Sequence, residues 1–266
     1  MLELCLFNLG LIVLIIGIMF VLKRYVKSSK GQNIAILITS VSVALCHYSS
    51  IPYHLFTSGS PMGFLKENPN LLLPIYPCNV VMWLGIVYGV SKNKESKFNR
   101  FLCDYLFWFG IISALVGMFV NIDFMNNPSF KDYDVVKGIV AHAIMLLNVL
   151  LLPLFNKVKI KLERNMLHIV ISVVMMYVIG LYCNLVFETL VSYDKAYHVN
   201  SMFILHSPFE GVDFLTYPII GGMAIVFYFI VFVIAEVFKY KDGERFYNRI
   251  INYFKNKNKK KKENLE

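Results

Sequence analysis

The sequence predicts an all-α fold, a polytopic transmembrane helical bundle of about seven spans, and three observations carry that prediction. Hydrophobic residues make up 57% of the 266 residues, and mean hydropathy is +0.59, more apolar surface than a soluble core of this size consumes. The apolar residues collect in long runs at 2–22, 34–56, 71–90, 101–122, 135–155, 166–187 and 215–238. The basic residues fall in alternate connections between those runs. A bilayer crossing needs roughly 20 mostly apolar residues, because every backbone N–H and C=O must be satisfied within the segment. The first run is a span and not a secretory leader: Glu3 stands where a basic n-region belongs, the run is long, and Lys23 and Arg24 follow it. The third run is the least regular.

Orientation follows from the short connections, where Lys and Arg accumulate on the cytoplasmic side. One set holds Lys23, Arg24, Lys27 and Lys30, then Lys92, Lys94, Lys97 and Arg100, then Lys157, Lys159, Lys161 and Arg164, and then the tail from Lys239 to Lys262. The other set carries only Lys66, Lys131 and Lys195, beside Glu67, Asp132, Asp194, Glu210 and Asp213. The N-terminus is therefore expected outside and the C-terminus in the cytoplasm, in a multi-pass protein of the cell membrane, a bacterial plasma membrane being the expected one. Residues 1–240 form the membrane domain and 241–266 a basic cytoplasmic tail. In the tail, Phe246, Ile250, Ile251 and Phe254 share a helical face among Arg245, Arg249 and Lys255, the pattern of an interfacial helix. The net charge of +9 lines one side of a membrane, so anionic lipid head groups, not nucleic acid, are the expected partner. A solvated basic tail is the plain alternative.

Five cysteines in or beside the spans form no short motif, which argues against a disulfide framework or a metal site. No phosphate loop or dinucleotide fingerprint occurs, and no soluble cofactor is expected. Polar groups inside hydrocarbon are costly, so their depth is informative. Cys78 lies seven residues into the third run and His142 seven into the fifth; at about 1.5 Å per residue, both sit roughly 10 Å below the outer boundary. His47, Asn79, Asn121, Asp123 and Asn184 gather near that level, whereas the inner halves carry chiefly Asp104, His168 and Glu236. The asymmetry points to a pocket open toward the outer face. His54, His198 and His206 read as solvated residues of exterior connections.

Proline is tolerated in a first helical turn and disfavoured further in, so the helix of the third run starts near Pro74 or Pro77, with Cys78 in its first turn. Free N–H groups and the positive end of the helix dipole there stabilise a thiolate or an oxyanion, and a neighbouring His acting as base completes an activated nucleophile. The competing readings are plain: Cys78 as a small apolar filler and His142 as a helix-to-helix hydrogen bond. Gly110, Ser113, Ala114 and Gly117 recur at helical spacing, which is helix-packing chemistry.

These residues resemble the TMEM164/YwaF family of integral membrane proteins over most of the chain. The resemblance is carried by Leu73-Pro74-Ile75-Tyr76-Pro77-Cys78, the run Phe107-Trp108-Phe109-Gly110 through Ala114, Ala141-His142-Ala143, Asn184, and Asn200-Ser201-Met202-Phe203 with Pro208. It implies an acyltransferase in which a membrane-embedded Cys and His move a fatty acyl chain between phospholipids and lysophospholipids. Cys78 would then be the nucleophile and His142 its base, with Asn184 and Asn200 positioning head group or oxyanion and His47 assisting. Residues His47, Asn79, Asn121, Asn184 and Asn200 are thus the expected substrate contacts. The rival reading is a lipid or small-solute transporter or binding protein with an outward polar cavity, which the sparse charge at mid-depth disfavours. A retinal protein is disfavoured further, because the last run, 215–238, has no lysine for a Schiff base, and a seven-span receptor stays open on topology alone.

Overall fold

A computed structural model describes residues 2–58, 71–120, 124, 129–207 and 211–263, with side chains to Lys255. Helix makes up 81% and no strand occurs among the described residues. In chain order the elements are α1 (Leu2–Tyr25), α2 (Ser29–Tyr48), α3 (Ser50–Ser58), α4 (Pro77–Val90), α5 (Lys97–Phe119), α6 (Tyr133–Leu154), α7 (Leu162–Leu190) and α8 (Tyr193–Val199). A 3-10 turn at Ser201–Phe203 precedes α9 (Tyr217–Lys239), and a second at Asp242–Glu244 precedes α10 (Phe246–Glu263).

Local sequence sets the helix starts. Side-chain oxygens of Ser28, Ser96, Asp132 and Ser192 accept first-turn N–H groups at α2, α5, α6 and α8. Past Pro153, α6 ends where Asn156 turns left-handed (φ 56°) and Lys157 N–H donates back to the Leu152 carbonyl. Pro52 withholds an N–H near the start of α3, and the helical path bends at Ser49 between α2 and α3.

Six helices are long and apolar enough to cross a membrane: α1, α2 continued to Thr57, α5, α6, α7 and α9. Of the expected seven runs, the third instead gives α4, whose 14 residues span about 21 Å against a hydrocarbon core of about 30 Å. Pro74 and Pro77 explain the difference, since the residues before Pro77 form an irregular turn.

Helices α2, α4, α5 and α6 form the centre of the bundle, with α1 against α5 and α6, and α9 against α7. Buried polar bonds pin these pairs. Asn8 of α1 donates to the Met118 carbonyl of α5 at 2.7 Å. Asn148 of α6 donates to Thr39 Oγ1, Ser40 Oγ and the Ile36 carbonyl of α2 at 2.6, 2.9 and 2.9 Å. Tyr228 of α9 donates to the Trp108 carbonyl of α5 at 2.5 Å. The outer flanks of α1 and α9 expose Val13, Ile16 and Phe20, and Phe227, Ile230 and Ile234, as surfaces that face lipid do.

The two ends of the bundle differ in charge. At one end, Glu95 joins Arg100 (3.0 Å) and Lys159 (3.1 Å), which ties the α4–α5 connection to the α6–α7 connection. Those two donors hold the Glu95 carboxyl below its usual range, Lys159 contributing most. Beneath them, Asp104 meets His168 at 2.7 Å and Arg164 at 3.4 Å. At the opposite end, Asp134 binds His54 (2.5 Å), Ser50 (2.7 Å) and Lys137 (3.2 Å), holding α3 on α6. The expectation of a solvated His54 is corrected here: α3 packs on the first turn of α6, whose Asp134 supplies the imidazole with a carboxylate.

Lys94 lies at the basic end. Burial, with the Lys157 charge nearby, pushes its ammonium down from 10.5 to about 8. Between those values the unfolded chain binds the proton that the folded chain has released, so stability rises with pH from about 8 to 10.5. Thermal unfolding in detergent across that range is expected to show the rise in wild type and a flatter profile in Lys94→Met. An identical slope in the variant would remove Lys94 as its source.

Candidate functional site

Pro77 is the first residue of α4, Cys78 the second and Asn79 the third. Proline at that position sacrifices no helical bond. Asn79 Oδ1 accepts the Tyr76 N–H at 3.1 Å, and the Asn79 N–H reaches back to the Tyr76 carbonyl at 3.0 Å, so the turn is capped by the residue beside the thiol. The backbone N–H groups of Asn79 and of Cys78 itself neighbour the half-buried sulfur. An anion formed there meets the positive end of the α4 dipole, with the Asn79 N–H shared with the Tyr76 carbonyl.

The turn carrying Cys78 is held from outside α4. The Ile75 carbonyl, three residues ahead of the thiol, accepts both the Met202 N–H (2.9 Å) and the Ser201 hydroxyl (3.0 Å). Ser201 is fully buried and is fixed to α7: its N–H donates to Asn184 Oδ1 at 2.8 Å, and its carbonyl accepts from Asn184 Nδ2 at 3.3 Å. Asn200, Met202 and Phe203 all take positive φ, at 43°, 55° and 56°, a conformation that costs a non-glycine residue about 1–2 kcal/mol. Asn200 offsets part of that by closing its own loop, accepting the Leu205 N–H and donating to the His206 carbonyl, both at 2.9 Å. Gly180 of α7 lets the strained loop lie flat: a Cβ there would stand 2.5 Å from Ile204 and 2.7 Å from Met202.

The structure gives Asn184 and Asn200 backbone contacts where the sequence led to the expectation of substrate contacts. The amide groups of Asn184 and Asn200 are engaged by backbone, where they support the turn that presents Cys78. Sequence reasoning misses Ser201 and Gly180 as parts of this clamp. A short polar side chain following an Asn in a loop is the only local sign of Ser201, and nothing local marks Gly180.

His142 lies on α6. Its Nδ1 is 2.7 Å from the Gly138 carbonyl. A carbonyl only accepts, so Nδ1 carries the proton and Nε2 is the basic nitrogen of the neutral ring. The ring lodges against Gly117 of α5, where a Cβ would come within 2.1 Å of it. Among the described residues no hydrogen bond joins His142 to Cys78. Their depth agrees nonetheless. The end of α4 and the end of α6 lie together through Glu95 and Lys159, so the two helices run the same way. They approach at Gly85, whose Cβ position is 3.6 Å from Asn148 Oδ1. Cys78 is seven residues and His142 six residues up from that contact, about 10 Å and about 9 Å. His47, near the end of α2, stacks edge-on to Tyr48 with ring centroids 5.1 Å apart. Asn121 and Asp123 lie outside the described residues.

Compared with known families, the chain matches the sequence model of the TMEM164 family over residues 3–239. No curated protein and no solved structure matches it.

Proposed function

We propose that this chain, which belongs to the TMEM164 family, is a phospholipid acyltransferase or transacylase that works through a Cys78 thioester. The observation that carries the reading is the seat of Cys78: a half-buried thiol in the first turn of a helix, at the positive end of its dipole, with a strained loop devoted to holding the turn. Such strain persists only where surrounding contacts over-determine it, and it gathers at working sites.

In the proposed cycle His142 Nε2 takes the Cys78 proton. The thiolate attacks the acyl carbonyl of a phospholipid ester, and the oxyanion is met by the α4 N–H groups. Collapse breaks the ester C–O bond, leaves the acyl chain on sulfur, and expels a lysophospholipid alkoxide that takes the proton from the imidazolium. A second lysolipid hydroxyl, deprotonated by His142, then attacks the thioester and restores the thiol. Asn184 and Asn200 act as positioning residues through the clamp, and Asn79 through its cap. The loop charges orient this site toward the outer face of the membrane, which makes a membrane lipid a readier donor than a soluble thioester.

The test is chemical. Full-length protein reconstituted with phospholipid is expected to carry an acyl group on the Cys78 peptide by mass spectrometry, and Cys78→Ala to lose acyl transfer by at least about 10³-fold. Transfer at the wild-type rate in Cys78→Ala would overturn the reading and favour a lipid-binding or transport role.

A further inference from the structure

The basic end of the bundle holds a small cleft, with room of about 20 Å³, lined by Tyr88 of α4 and Lys94 and Glu95 after it, by Arg100, Cys103 and Asp104 on α5, and by Lys157, Lys159 and Arg164 around the start of α7. Five of these side chains are cationic and two are anionic. Both carboxylates are already engaged: Glu95 by Arg100 and Lys159, Asp104 by His168 and Arg164. Lys94 and Lys157 are left with no carboxylate partner among the described residues. Lys94 is held in place by the last carbonyls of α4, at Tyr88 and Gly89, and its ammonium sits 4.3 Å over the Tyr88 ring. Arg164 Nε is buried and faces the Asp104 carboxylate at 3.4 Å.

We propose that this cleft binds a phosphate group, with Lys94 and Lys157 as its charged donors and Arg164 behind them. Two half-sheltered ammonium groups facing one space repel each other and are poorly hydrated, and an anion between them relieves both terms. The depressed Lys94 ammonium is what that uncompensated pair would produce. The first turns of α5 and α7 begin at the same cleft, so two helix dipoles present their positive ends to it. Accumulation of basic residues on one membrane side explains that they are present. It does not explain why two connections converge on one concavity with two lysines that have no carboxylate partner among the described residues. A phosphate, with oxygens directed at several donors at once, fits that convergence better than a single carboxylate. Its source is either the head group of an anionic phospholipid or free inorganic phosphate. The site is separate from the Cys78 turn, at the other end of α4.

The full-length protein can be tested by thermal unfolding in detergent with added inorganic phosphate, and in nanodiscs of phosphatidylglycerol against phosphatidylcholine. Three variants are needed: Lys157→Gln, whose side chain makes no hydrogen bond among the described residues; Lys94→Gln; and Lys92→Gln, an exposed lysine of the same connection outside the cleft. A saturable stabilisation is expected, weakened about 10-fold or more in affinity by Lys157→Gln and by Lys94→Gln and unchanged by Lys92→Gln. A response to inorganic phosphate identifies a soluble ligand; a response to phosphatidylglycerol alone identifies a lipid head group. Either supports the site if the cleft variants abolish it. If Lys94→Gln does not fold, Lys157→Gln alone decides. Equal weakening by Lys92→Gln, wild-type binding by Lys157→Gln, or no response to either phosphate source overturns the proposal.

Discussion

Replacing Gly117 with valine is expected to lower acyl transfer by about 10²-fold or more. The same change should leave a folded, membrane-inserted protein. A Cβ at position 117 would stand 2.1 to 2.5 Å from three atoms of the His142 ring, too close for any real contact, so either the ring swings away or α5 and α6 part. The ring is the softer of the two. Its anchor to Gly138 is one hydrogen bond, whereas α5 and α6 pack along most of their length, and Gly110 admits Val149 a further two turns down. Helix propensity works in the opposite direction, since filling a mid-helix glycine gains up to about 1 kcal/mol. Overpacking costs about 1–3 kcal/mol, so stability should fall modestly while the base is displaced. Transfer rate and unfolding temperature measured on one preparation separate the two effects. A folded Gly117→Val protein with wild-type transfer would show that His142 is not the base.

That glycine illustrates what a sequence can and cannot show here. Its spacing from Gly110 and Ala114 marks a helix-packing face, which is correct as far as it goes. What packs into the face is a tertiary fact: Val149 at one notch, an imidazole at the other. The membrane helices were legible because their signal is one-dimensional, an apolar run of a length fixed by the bilayer. The early end of the third run was legible for a similar reason, since Pro74 and Pro77 act through local covalent geometry, and the structure starts α4 at Pro77 with Cys78 in its first turn.

The clamp on that turn was not legible. It joins residues 75, 180, 184 and 200–204, and its main acceptor is the Ile75 carbonyl, a group every residue possesses. Asn184 and Asn200 stood out because they are polar at a costly depth. Depth says that such a side chain has a partner, not whether the partner is substrate or backbone. Asn148 escaped notice for the complementary reason, since its partners Thr39 and Ser40 sit in an otherwise ordinary apolar run.

Glu236→Leu should be the most destabilising single substitution at the basic end, at about 3–5 kcal/mol. Glu236 is fully buried near the end of α9 and joins three elements. Its oxygens accept the Leu162 N–H at 2.7 Å, the Phe246 N–H at 2.9 Å and Arg249 Nη2 at 2.6 Å. The first two are the opening amides of α7 and α10, groups that no helical carbonyl can satisfy, so one carboxylate starts two helices. Leucine matches the volume but orphans both amides and leaves Arg249 its paired bonds to Glu163, at 2.9 Å each, and its bond to the Glu244 carbonyl. Those bonds still hold the Arg249 guanidinium above its ordinary range, Glu163 contributing most, so the arginine stays charged and the loss falls on the buried end of the network. Glu236→Gln keeps the shape and one acceptor oxygen, and should cost less, about 1–3 kcal/mol. Unfolding temperature reads the size of each effect. Trypsin reads its location, because α10 is joined to the bundle through Phe246 and Arg249: cleavage at Arg245 and Arg249 should quicken in Glu236→Leu before the membrane helices are lost. If the variant unfolds as wild type and its tail is cleaved no faster, the buried carboxylate is not the joint that holds α7, α9 and the basic tail together.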